Sequence, residues 1–210
     1  MTIPCSLSPL GTVTGKYRPG EEILRVGYEN SATVTLYPGV YKIYAQGAGA
    51  GGGNNDYFAN GNGGGSGAGF KGYIRVKRKM TITVQAHDRP EKETDGGDTT
   101  ISGIMTLGGG KKGLNGNAGA SGKGGTYTIH SSTAWEIKET EILSNGYDGV
   151  IATNEPSFQS GANSILSNSG GGLGNADATG AGAGGGGGYS WHSAGGKGGW
   201  GECIIWFWKY

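Results

Sequence analysis

No apolar run in this sequence is long enough to cross a bilayer. The longest, Cys203 to Trp208, is far shorter than the roughly 20 residues a membrane helix needs. Proline is scarce, with six residues in 210 and no chain-long Gly-X-Y register, which excludes collagen. Leu, Ile, Val and Phe together number only 34. That is little for an ordinary apolar core, yet the net charge is only +1, so the high charge that accompanies disorder is missing. The same neutrality gives no general attraction to nucleic acid or to an anionic membrane, and neither partner is expected. The first ten residues have no basic stretch followed by a long apolar one, so no secretory leader is expected.

Catalytic signatures are equally sparse. His87, His130 and His192 are widely spaced and form no HExxH or His-x-His zinc pattern. There is no serine in a G-x-S-x-G elbow and no G-K-[S/T] phosphate loop. Gly47 to Gly52 does match G-x-G-x-x-G, but the continuation Gly53-Asn-Asn-Asp-Tyr-Phe cannot supply the helix that motif requires. Asp88, Glu91, Glu93, Asp95 and Asp98 crowd one segment without calcium-loop spacing and read as a solvated acidic loop. Lys71, Arg75, Lys77, Arg78 and Lys79 read as the solvent face of one strand and its turn. The expectation is a protein that is not an enzyme and takes no cofactor and no metal. Cys5 and Cys203 are the only cysteines, and both two reduced thiols and a single bridge between the ends remain open.

Glycine is abundant instead: 48 residues, against an average usage of about 7%. It costs about 1 kcal/mol per helical position relative to alanine, so a helical or α/β enzyme is excluded. The glycines concentrate in three tracts, 47–69, 108–125 and 170–201, separated by segments with strand chemistry. Ala32 to Leu36 alternates apolar with threonine. Val40 to Gln46 places Tyr41, Ile43 and Ala45 on one face and Lys42, Tyr44 and Gln46 on the other. With Tyr37-Pro38-Gly39 between them, these two predict a hairpin. Phe70 to Val76, Met80 to Ala86 and Thr99 to Leu107 predict three more strands. Thr126 to Ile129, Ala134 to Ile137 and Gly149 to Ala152 are weaker candidates, and for Trp135 to Leu143 the periodicity does not separate strand from helix. Glu202 to Tyr210 is apolar on both faces, as suits a strand central in its sheet or covered by a partner. The chain divides into an N-terminal attachment segment, 1–31, and an all-β sandwich domain, 32–210, carrying the tracts as insertions.

Within the second tract, Gly110, Gly113, Gly116, Gly119, Gly122 and Gly125 recur at every third residue. Gly61, Gly64 and Gly67 are in step, as are Gly195, Gly198 and Gly201. A period of three matches a left-handed extended helix with three residues per turn and about 3.1 Å rise. In that helix a glycine row forms one bare edge, along which a second helix can approach closely enough for interchain N–H···O and Cα–H···O contacts. Because such a helix has no internal hydrogen bonds, its amides need lateral neighbours, and several helices must pack as a polyglycine-II bundle. Gly51–Gly53 and Gly184–Gly188 suit its middle.

The segment Leu36-Tyr-Pro-Gly-Val-Tyr-Lys-Ile-Tyr-Ala-Gln-Gly-Ala-Gly-Ala-Gly-Gly-Gly53 resembles the first strand of the glycine-rich domains at phage tail-fibre tips. Gly69-Phe-Lys-Gly-Tyr-Ile-Arg-Val with Met80-Thr-Ile-Thr-Val resembles their next pair of strands. Gly195-Gly-Lys-Gly-Gly-Trp-Gly-Glu-Cys-Ile-Ile-Trp206 is similar to their terminal strand. A related pattern, including Gly113-Leu-Asn-Gly-Asn-Ala-Gly-Ala-Ser-Gly122, occurs in the glycine-rich ectodomain of the anaplastic lymphoma kinase family. The resemblance spans roughly residues 32–208 and lies in the order of low-complexity motifs. It implies a jelly-roll-like β-sandwich with an inserted polyglycine-II helix bundle, in a virion attachment protein made in the host cytoplasm.

Aromatics among the glycines are the receptor-binding candidates: Tyr57, Phe58, Tyr189, Trp191 and Trp200, with Asn55 and His192 as polar neighbours. The expected partner is a host cell-surface protein or glycan. Trp206, Trp208 and Tyr210 are candidates for docking on other virion subunits, either beside that role or as a purely structural subunit's attachment strand. A homo-oligomer is expected, and a trimer would suit a fibre.

Overall fold

The computed structural model describes residues 17–27, 30–55, 60–115, 120–151, 160–168, 170–188 and 193–210. Among them there is no helix. Ten strands form two five-stranded antiparallel sheets: β1 (Glu22–Gly27), β2 (Ser31–Leu36), β3 (Gly39–Gln46), β4 (Gly69–Val76), β5 (Met80–Gln85), β6 (Thr99–Ile101), β7 (Met105–Leu107), β8 (Tyr127–Ile129), β9 (Trp135–Ser144) and β10 (Glu202–Lys209). The order is β1-β10-β3-β4-β9 in one sheet and β2-β5-β6-β7-β8 in the other. The protein is an all-β sandwich. Its core takes the alternate residues of both sheets: Tyr41, Ile43, Phe70, Ile74, Ile205 and Phe207 from the first, Leu36, Ile82, Val84, Ile101 and Leu107 from the second.

The strand from Glu202 is flanked on both sides, by β1 and β3. Trp135–Ser144 is a single strand at a sheet edge. Three expectations are corrected. The hairpin predicted across Tyr37–Gly39 does not form, because β2 and β3 belong to opposite sheets. Pro38 donates no backbone hydrogen bond. The Tyr41 hydroxyl accepts from the Tyr37 N–H and donates to the Tyr37 carbonyl, both at 2.9 Å, so the link turns a corner between layers. A Cβ at Gly39 would lie 2.8 Å from Phe207 Cε2, so this corner needs glycine. Thr99 to Leu107 is two strands, turned at Gly103, whose φ of 69° is open to glycine at little cost. Gly149 to Ile151 is not a strand, and Ala152 lies outside the described residues.

All the glycine-rich segments leave the sandwich at one end. Gln46, Gly69, Ser144 and Glu202 are mutual neighbours across the first sheet. In the second, Gln85 pairs with Thr100, and Thr99, Leu107 and Tyr127 adjoin. Past Gln46 the pairing of β3 with β4 continues with a new period: the N–H groups of Gly47, Ala50 and Gly53 donate to Ala68, Gly65 and Asn62. The residues between them turn elsewhere. Ala48 and Gly51 donate to Gly97 and Thr94, whereas Gly49, Gly52 and Asn55 donate to Gly199, Gly196 and Ser193.

Segment 61–68 repeats this rotation. Gly61, Gly64 and Gly67 donate to 182–188; Asn62, Ala68 and Gly65 donate to 108–114; Gly63 and Ser66 donate to Val150 and Tyr147. It also accepts bonds from 47–53, from Gly122 and Gly125, and from Ala162. The glycine rows lie at the closest approaches. A Cβ at Gly51, Gly52 or Gly53 would fall within 3 Å of backbone in three different neighbours.

Candidate functional site

The sequence candidates fall at three places. At the end of the tracts away from the sheets, the described residues flanking four connections gather. Asn55 and Asn60 are joined by an amide–amide hydrogen bond of 3.0 Å. The Asn55 N–H donates to Ser193 O and the Gly61 N–H to Gly188 O. The Asn54 N–H donates to Asn115 Oδ1 at 2.8 Å, and the Val150 N–H to Ser160 O. Asn55 is therefore a stem residue, half-buried. Tyr57, Phe58, Tyr189, Trp191 and His192 lie outside the described residues, as does Cys5.

Trp200 sits at the opposite end, two residues before β10 and close to Gly27 of β1, with its carbonyl accepting from Gly182 N–H. It is not brought together with Asn55. The outer face of the β1–β10–β3–β4–β9 sheet is the third place. Trp206 is half-buried there and Trp208 is 44% exposed. Tyr210 does not join them. Its ring packs on Phe207 with centroids 4.6 Å apart, and its hydroxyl donates to Tyr17 O.

Charged side chains fasten these surfaces. Asp95 accepts from the Lys112 N–H and pairs with Lys111 Nζ, and Asp148 accepts from the Gly124 N–H and pairs with Lys123 Nζ. Asp177 accepts from the Lys197 N–H and pairs with Arg89. Burial raises the Asp95 pKa, but the Lys112 N–H and Lys111 outweigh it and hold the carboxyl below its ordinary value. Lys123 and then the Gly124 N–H lower Asp148. In the acidic segment, Glu91 pairs with Lys197, Glu93 accepts from Asn54 and Asn115, and Asp98 accepts from the Gly109 N–H. Among the described residues, no three His, Cys, Asp or Glu side chains converge on one point. Of the basic cluster, Lys71 pairs with Glu141 and Lys77 with Glu136, both on β9. Cys203 is a free thiol, and burial followed by the neighbouring Glu202 pushes its pKa far up.

Two features had no sequence signal. A hollow of about 360 Å³ on the flank of the tracts is walled by Tyr147, Val150 and Leu173, brought together from segments far apart in sequence. β-Bulges on β9 and β10 put Lys138 and Lys209 beside Trp208. No protein-family model matches this chain, and no curated protein matches its sequence.

Proposed function

We propose that the glycine tracts form a polyglycine-II helix bundle standing on the sandwich, and that the chain is a non-enzymatic attachment protein of a virion, a tail-fibre tip or spike. Support for the bundle comes from the three-residue bonding rotation. Segments 47–53 and 61–68, with no backbone bond inside either, donate in turn to three neighbours, as side-by-side helices of three residues per turn require. Support for display comes from the gathering of four pairs of stem residues at the end away from the sheets, which is the observation that carries the reading. Backbone bonds along the tracts bring the described ends of those four connections together. Two of those connections contain Tyr57, Phe58, Tyr189 and Trp191, residue types that dominate binding hot spots. The partner is a molecule of the host surface, and other virion subunits carry the chain, which acts as a homo-oligomer.

Labelled full-length protein should bind host cells saturably and block adsorption of the virus. Replacing Tyr189 and Trp191 together by alanine should abolish that binding while the circular dichroism and melting temperature stay those of the parent. A folded double variant that binds cells as well as the parent overturns the proposal.

A further inference from the structure

Two hollows adjoin Trp208 on the outer face of the β1–β10–β3–β4–β9 sheet. One, of about 190 Å³, is lined by Gly20, Lys42, Trp206 and Trp208. The other, of about 210 Å³, is lined by Val40, Tyr73, Lys138, Glu139, Trp208 and Lys209. Trp208 is the wall they share. Its indole stands edge-to-face with Tyr73, centroids 5.4 Å apart. Each hollow is smaller than the roughly 300–1,000 Å³ of a drug-sized pocket, and two in a row suit successive rings of an oligomer.

The backbone is irregular at both walls of the second hollow. On β10 the register against β3 shifts between Phe207 and Lys209, with Trp208 as the extra residue. On β9 the register against β4 shifts between Glu139 and Ile137, with Lys138 as the extra residue. A strict alternation that keeps Phe207 and Ile137 inward would turn Lys209 and Glu139 toward the core. The bulges keep Trp208 with Lys209, and Lys138 with Glu139, exposed around one depression.

Charge selects the ligand. Glu141 is held by Lys71 at 2.8 Å and by Lys42 at 3.6 Å, and Glu136 by Lys77 and Arg75. Among the described residues, Lys138 and Lys209 form no ion pair, so the second hollow carries two ammonium groups against the carboxylate of Glu139. We propose that this face binds an acidic oligosaccharide. The apolar C–H face of one pyranose ring lies on the exposed indole of Trp208. A sugar carboxylate is met by Lys138 or Lys209, and Glu139 accepts hydrogen bonds from ring hydroxyls. The carboxylate in the hollow and the single exposed ring disfavour a nucleic acid strand, which needs a continuous basic groove with several stacking platforms. A docked subunit is disfavoured because Trp208 is the one large exposed apolar side chain on this face among the described residues, where a subunit interface needs an apolar centre.

This site is separate from the gathered stems, and it adds a ligand class to the attachment reading without depending on it. The full-length protein is tested on a printed panel of uronate- and sialate-containing oligosaccharides beside their neutral counterparts and a thymidine oligonucleotide. Acidic sugars should be retained, with affinity falling at least tenfold in Trp208→Ala. The Lys138→Gln, Lys209→Gln double variant, which alters only exposed side chains, should lose the preference for acidic over neutral sugars. The Tyr189, Trp191 double-alanine variant should bind the panel as the parent does. Retention of no acidic sugar, retention unchanged in Trp208→Ala, or preference for the oligonucleotide overturns the proposal.

Discussion

Glycine acts in this protein chiefly through the absence of a side chain. Gly64 is typical: its N–H donates to Gly185 O, and a Cβ there would fall between Ala50 O and Gly51 O, well inside van der Waals contact. Neither obstacle is a flexible side chain, so alanine must separate two backbone segments. Gly64→Ala should cost about 1–3 kcal/mol, the range for overpacking a close-packed interior. Gly27 is the internal control, since a Cβ there would meet only ordinary contacts at 3.5 and 3.8 Å. Gly27→Ala should be neutral or stabilising by a few tenths of a kcal/mol. Denaturant unfolding of both variants checks this, and equal midpoints would contradict the steric account. At the margins of the tracts the outward N–H groups are met by side chains in the same step of three. Asp98 and Asp95 take Gly109 and Lys112, and Asn145 and Asp148 take Tyr127 and Gly124.

Between elements, those carboxylates make the tracts sensitive to acid. Asp95 and Asp148 both have pKa values lowered by folding. A lowered carboxyl pKa contributes stability that is complete above the unfolded value, about 4, and is lost as the pH falls through the folded value. Glu202 has the opposite sign: burial raises its pKa against the pull of Arg25, so its contribution declines as the pH rises through the folded value. Melting temperature should therefore drop between pH 5 and pH 3, roughly the window set by these shifts. Replacing Asp95 and Asp148 by asparagine keeps the oxygen that accepts the backbone N–H and removes only the charge. That variant should show a shallower acid decline, and an identical profile would assign the loss to other groups. Sequence patterning was a good guide to the strands themselves, because alternation in Val40–Gln46 or Met80–Ala86 reports a half-buried face directly. It misjudged connections: the choice between hairpin and sheet crossing at Tyr37–Gly39 rests on the Tyr41 hydroxyl and the approach of Phe207, neither of which is local.

At the scale of the whole molecule, two packing schemes share one set of chain crossings. β3 and β4 bond with the period of a sheet as far as Gln46 and Gly69, and then with a period of three as far as Gly53 and Asn62. The described parts of the tracts contribute few large side chains, yet the amides of 47–53 and 61–68 are buried and paired, which predicts that they open together with the sheets rather than as loops. In native-state hydrogen exchange the amides of Ala48–Gly53 and Gly61–Ala68 should be protected as strongly as those of β3 and β4. Exchange at the rate of exposed loops would mean that the tracts open independently of the sandwich.

The sequence alone determined that the chain is all-β and that the glycines run in steps of three, because side-chain periodicity and steric bareness are local properties, but it did not mark Glu22–Gly27 as a strand of the sandwich. It offered Trp208, together with Trp206 and Tyr210, as a docking candidate because the terminal segment is unusually aromatic. Only the tertiary structure decided that β2 and β3 part into opposite sheets, that every tract leaves the sandwich at one end, and that Trp200 and Asn55 lie at opposite ends. It also decided that Lys138 and Lys209 share a hollow with Trp208. Each of these depends on register and on the meeting of segments distant in sequence, which backbone hydrogen bonds and close approaches select only once the chain has folded.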